Sequence, residues 1–224
     1  MVGGLLAGGC GGSSGNARVN DSPNGIVNDS PKQILSTAVT AMKLSSSVKV
    51  TGSVNQNGKT VGIDFMLFSN GDASGRITEA GFSADLVEVR GHDYVNATAA
   101  FWKAEGAPVS AASKLAGRWI VIQPSQLGRV SALSMATLES SLAPTSVGKL
   151  TNGGTGTIGS QHVITVVSST QGTVWVATFG TPYPVALKGG TASSGGALVF
   201  SNWGQGSPPA APTGATSASS LLGS

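Results

Sequence analysis

A chain of 224 residues and 22.1 kDa has room for one domain of ordinary size. Lys and Arg number 13 against 10 Asp and Glu, and charged residues make up only 10% of the chain, so no basic stripe for a nucleic acid is available. Hydrophobic residues reach 40%, but Gly, Ser and Thr break them into runs too short to cross a bilayer as a helix.

The single cysteine, Cys10, excludes a disulfide within the chain. It lies in MVGGLLAGGCGGSSG, where Leu5, Leu6, Ala7, Gly8 and Gly9 precede the thiol. This arrangement resembles the lipobox of bacterial lipoproteins, which implies a diacylglycerol on Cys10 and a mature protein that begins there. A signal peptide needs a charged start and an apolar stretch of about 7 to 15 residues, and only nine residues precede Cys10. Met1 is therefore read as a start set downstream of the true one, or the sequence as a shortened form. Residues 1–9 are then a residual signal and lipobox segment, and 10–29, rich in Gly, Ser and Asn, a flexible tether. Two acyl chains on Cys10 would anchor the chain stably to a membrane, where one would not.

Within the tether a short copy repeats, VNDSPNGI at 19–26 and VNDSPKQI at 27–34, and only the second leads into a helix. There Ser30 is an N-cap, Pro31 the first helical residue and Gln33 the partner of a capping box. Ile34, Leu35, Ala38, Val39 and Met42 follow on one helical stripe. From Ser46 the period changes to two. Val48 to Val54, Val61 to Phe68, 74–81, 82–90 and the stretch through Tyr94 and Val95 read as an antiparallel meander, with turns at Asn57-Gly58, Asn70-Gly71 and Gly91-His92-Asp93. Residues 97–117 read as irregular or briefly helical, anchored by Phe101 and Trp102, and Arg118 to Ile122 as a strand. A second helix opens at Pro124-Ser125, carries Leu127, Val130, Met135, Leu138 and Leu142 near one face, and ends at Pro144. Strands return at 163–168, 173–179, 184–188 and 197–201, and 205–224 reads as a disordered tail. About ten strands that curl, with two amphipathic helices over the concave face, make an α+β architecture.

No catalytic constellation emerges from the residues. GGSSG at 11–15 fits a nucleophile elbow but lies in the tether. GTGTIG at 154–159 fits a dinucleotide fingerprint but reads as a glycine-rich turn, since no Asp or Glu follows Glu139 to hold a ribose. His92 and His162 are remote in sequence and lack partners for a metal site. Among Asp64, Asp85 and Glu88 no acid/base pair stands out, and Glu88 with Arg90 reads as an ion pair on the solvent side. Asn20, Asn28 and Asn96 fit the glycosylation sequon, which carries little meaning in a bacterial lipoprotein. No cofactor or metal is expected.

The order of several short motifs does point somewhere. The run ILSTAVTAMKLSSSVKVTGSV after the capped helix start, the GRWIVI strand, the ATFGTPYPVALKGG stretch and the LVFSNWG close resemble the LppX/LprG-type lipoproteins of actinobacteria, which share the fold of LolA-type lipoprotein carriers. The similarity covers roughly residues 30–204. It implies a half-barrel sheet wrapped around helices, an apolar cavity between them that accepts acyl chains, and an extracytoplasmic place on the outer face of the cell membrane. Alternation independently puts Ile63, Phe65 and Leu67 on one strand face, Val87 and Val89 on another, and Ile120 with Ile122 on a third. With Val39, Met42, Met135 and Leu138 these are the candidate cavity residues. The expectation is a monomeric, non-enzymatic lipoprotein that binds a lipid or lipidated molecule and carries or presents it. The alternative is an envelope interaction protein of the same fold, whose interior is packed and holds no ligand.

Overall fold

The computed structural model describes residues 22–56, 58–122, 133–189 and 195–222. Cys10, the lipobox and the first turns of the expected second helix lie outside these residues.

The first helix, α1 (Pro31–Leu44), starts as the sequence requires. The Ser30 hydroxyl accepts from the Gln33 backbone N–H, and the Gln33 side chain accepts from the Ser30 N–H. Its stripe of Ile34, Leu35, Ala38, Val39, Ala41 and Met42 is buried, and each large member contributes roughly 1.5–3 kcal/mol. A meander follows: β1 (Ser47–Gln56), β2 (Lys59–Phe68), β3 (Ala73–Glu79), β4 (Phe82–Val89) and β5 (His92–Ala97). Two short helices, α2 (Ala99–Ala104) and α3 (Val109–Leu115), lead to β6 (Trp119–Ile122). After α4 (Met135–Leu142) comes a second meander of β7 (Leu150–Ile158), β8 (Gln161–Ser168), β9 (Gly172–Ala177), β10 (Pro184–Gly189) and β11 (Gly196–Ser201). The chain closes with β12 (Thr216–Ser217) and α5 (Ala218–Leu222).

The twelve strands form one sheet in the order β12-β6-β5-β4-β3-β2-β1-β11-β10-β9-β8-β7, antiparallel except for the β12–β6 pair. Two local meanders are thus joined through β1 and β11, where Val50 lies opposite Phe200. The fold class is the expected α+β half-barrel, and α1 to α4 place their buried residues in one core with the inner face of the sheet.

Several expectations change. The sheet has twelve strands instead of about ten because most of 154–159, read as a glycine-rich turn, belongs to the edge strand β7, and because β12 exists. The β7 side chains are exposed almost throughout, so no alternation marks the strand. The tail is placed up to Leu222: Gly204 N–H donates to Ser47 O, Thr216 pairs with Ile120, and Ala218 and Leu221 pack on the core. The tether meets the fold early. Pro23 bridges to Phe179, the Asn24 amide donates to the carbonyls of Ala177 and Gly180, and Ile26 is buried. No ion pair joins Glu88 to Arg90. The outer face instead carries Lys49–Asp64 and a bidentate Arg76–Asp85 pair at 2.6 and 3.1 Å.

Candidate functional site

A row of facing residues, Phe200–Val50–Phe65–Gly75–Leu86–Val95–Ile120, crosses the concave face from one meander to the other. Gly75 is essential to that row, because a Cβ there would lie 2.6 Å from the Phe65 ring. Phe65 can therefore lean over its neighbour strand into the half-barrel.

Between this face and α2 lies a hollow of about 60 Å³. Its apolar lining comes from Val54, Val61, Ile63, Phe65, Ile77, Phe82, Phe101 and Leu133. It lies toward the end of the sheet where β1 finishes and β2 begins. Phe101 is held edge-on by Phe82 and Trp102 at 5.6 and 5.2 Å, so α2 forms a rigid aromatic wall. Glu79 and Glu105 also line the hollow, Glu79 being paired with Lys59 at 2.7 Å and Glu105 exposed. The hollow is far smaller than the roughly 300–1,000 Å³ of an ordinary ligand site.

Of the candidate cavity residues, Ile63 and Phe65 line the hollow. Leu67, Ile120, Val39, Met42, Met135 and Leu138 are buried in the core around it, with Ile122 half-buried against them. Val87 and Val89 are not there. In β4 the inner face belongs to Ala84 and Leu86, which turns both valines outward. The sequence SADLVEV offers apolar residues in both phases, and packing against Gly75 and Val95 selects the other one. The same register brings Glu88 to the inner side at the rim, beside the buried Asp93. Burial pushes the Glu88 carboxyl above its ordinary range, with help from the charges of Asp93 and Asp72. Burial raises Asp93 too, against the opposing pull of His92. Val54, Val61, Ile77 and Phe82 were missed as lining. Their own alternation marks them as inward, but that the space in front of them stays open depends on α2.

Among the described residues no group of three or more His, Cys, Asp and Glu could hold a metal ion, and no helix is long and apolar enough to cross a membrane.

In structure the chain is similar to LprF from Mycobacterium bovis, with a TM-score of 0.61 over 80% of this chain and 96% of that one, at 15% identity. It is also similar to the lipoprotein LppX of Mycobacterium tuberculosis, with a TM-score of 0.53 over 79% and 96% of the two chains, at 18% identity. At these identities the likeness is one of fold, and it is the half-barrel expected from the resemblance to LppX/LprG-type lipoproteins. No family model and no curated protein matches the chain.

Proposed function

We propose that the chain is a lipoprotein of the cell envelope, tethered outside the membrane through acylated Cys10, that takes up the end of an apolar chain in its half-barrel and carries or presents it. The observation that carries this reading is the hollow beside α2. Eight apolar side chains meet there without filling the space, toward one end of the sheet. Each methylene that enters would contribute roughly 0.8 kcal/mol, so no charged clamp is needed. A longer chain requires α2 to move away from the sheet. That motion would withdraw Phe101 and Trp102, the two buried residues of the helix, from the core. No covalent step is involved.

The test is binding of a fluorescent fatty acid to the full chain and to Ile77→Trp, which fills the hollow from β3. Wild type should bind, and the variant should bind about tenfold more weakly or worse while melting within a few degrees of wild type. Equal binding by the two proteins refutes the site.

A second reading, an envelope interaction protein, draws on the outer face. There Trp175, Ala186 and Val199 align across β9, β10 and β11, and Val199 is 43% exposed. It predicts a protein partner in place of a lipid.

A further inference from the structure

A larger concavity than the hollow lies at the opposite end of the sheet. Here β8 begins, β9 ends and β10 begins, and the described chain starts at Ser22, whose carbonyl accepts from Gly180 N–H. The cleft measures about 630 Å³, within the size range of ligand sites.

Its walls are aromatic and pre-organised. Tyr183 and Trp203 lie parallel, 4.6 Å apart and 4° from coplanar. The indole N–H of Trp203 donates to Pro184 O at 3.2 Å, which fixes that ring. Phe179 rests against His162 at 5.0 Å and is 39% exposed. The short turn holding Tyr183 is locked by its N–H to Thr181 O and by Ala177 N–H to Tyr183 O.

The hydroxyl and amide side chains of the lining, Ser160, Gln161, Thr181 and Tyr183, have no hydrogen-bond partner among the described residues. Apart from His162, no titratable acid or base other than that phenol is present in the lining. The cleft holds no carboxylate, Lys or Arg to pair with a charged ligand. Aromatic faces carry partial negative charge and attract the polarised C–H faces of a saturated ring, while hydroxyl and amide groups at the margin pair with ring hydroxyls. A purely apolar ligand would leave those hydroxyls and that amide without partners.

We propose that this cleft binds an uncharged saccharide, with Phe179, Tyr183 and Trp203 supplying the stacking surface and Gln161, Ser160 and Thr181 the hydroxyl contacts. The site is independent of the hollow and of any lipid bound there.

The experiment is a titration of the 15N-labelled full chain with maltotetraose, cellotetraose and mannotetraose, and with a polyglucuronate fragment as the charged control. The Trp203 indole resonance, assigned with Trp203→Phe, is the reporter. A neutral saccharide should shift that resonance saturably and the control should not. Phe179→Ala and Gln161→Ala, both at exposed positions, should each weaken binding about tenfold. Ile77→Trp should leave this titration unchanged, which separates its outcome from that of the lipid test. Vesicles of phosphatidylcholine bearing digalactosyl diacylglycerol form a second arm. Binding to them but not to plain phosphatidylcholine vesicles, without binding to free saccharide, assigns the site to a sugar headgroup. Binding to both them and free saccharide assigns it to the sugar alone, and binding to plain phosphatidylcholine vesicles overturns the proposal. Absence of any saturable shift in either arm overturns the proposal. So does a shift that survives both substitutions, or one produced by a decaproline peptide in place of the saccharides.

Discussion

Asp93 and Glu88 show what a single register decision costs. Both carboxyls stand at the inner rim of the sheet, opposite each other across β4 and β5, and burial raises the pKa of each above its ordinary value of 3.8 or 4.5. A raised carboxyl favours the folded state when protonated. The stabilisation is complete below the unfolded pKa and is lost as pH rises through the folded one. Asp93→Asn should therefore melt at or above the wild-type temperature at neutral pH, and the difference should shrink toward pH of about 4. Thermal melts across that range check it, and a variant uniformly less stable than wild type would show that the charge is needed. Asp72 has a different part. It is buried and accepts from the Arg90 backbone N–H at 2.9 Å, which ties the β2–β3 turn to the β4–β5 turn. None of these three could be placed from the sequence, because SADLVEV fits either face and the choice falls to partners two strands away.

The start of the first helix was legible for a local reason. The start of α1 is written in three adjacent residues, Ser30, Pro31 and Gln33, and its bonds close within one turn. Ser30→Ala should cost about 1 kcal/mol, read from denaturant melts, while Lys32→Ala at the exposed second position should cost nearly nothing. Phe101 and Trp102 were likewise visible as anchors of 97–117, since large aromatics in an alanine-rich stretch have little else to do than pack. Strand β7 escaped notice because LTNGGTGTI is exposed on both faces along nearly its whole length and forms the sheet edge, so nothing selects apolar residues there. The 60 Å³ hollow lay beyond reach for a geometric reason. Alternation says which residues face inward, and the distance between sheet and helix decides whether those residues touch.

The whole molecule depends on one long-range seam. Each meander is built from neighbouring hairpins, and β1 with β11 joins the two across most of the chain. Gly52 sits in that seam with φ of +143°, and a Cβ there would lie 2.0 Å from the Ala197 carbonyl oxygen. Gly52→Ala should cost about 2 kcal/mol or more and loosen amide exchange protection in β11 before that in β8 and β9. Equal protection in all three strands would show that the seam is not the weak point. At this scale the resemblance read from the sequence held, since the order of short motifs tracks the order of elements and the fold is that of LprF and LppX. The hollow lies toward one end of the half-barrel, while Pro23 is held against Phe179 at the other. The most direct measurement is native mass spectrometry of the full chain purified without detergent. A population heavier than the polypeptide by one lipid, displaced by added fatty acid and absent from Ile77→Trp, is the predicted result. A bare mass in every preparation, with no fatty acid retained at saturation, would contradict it.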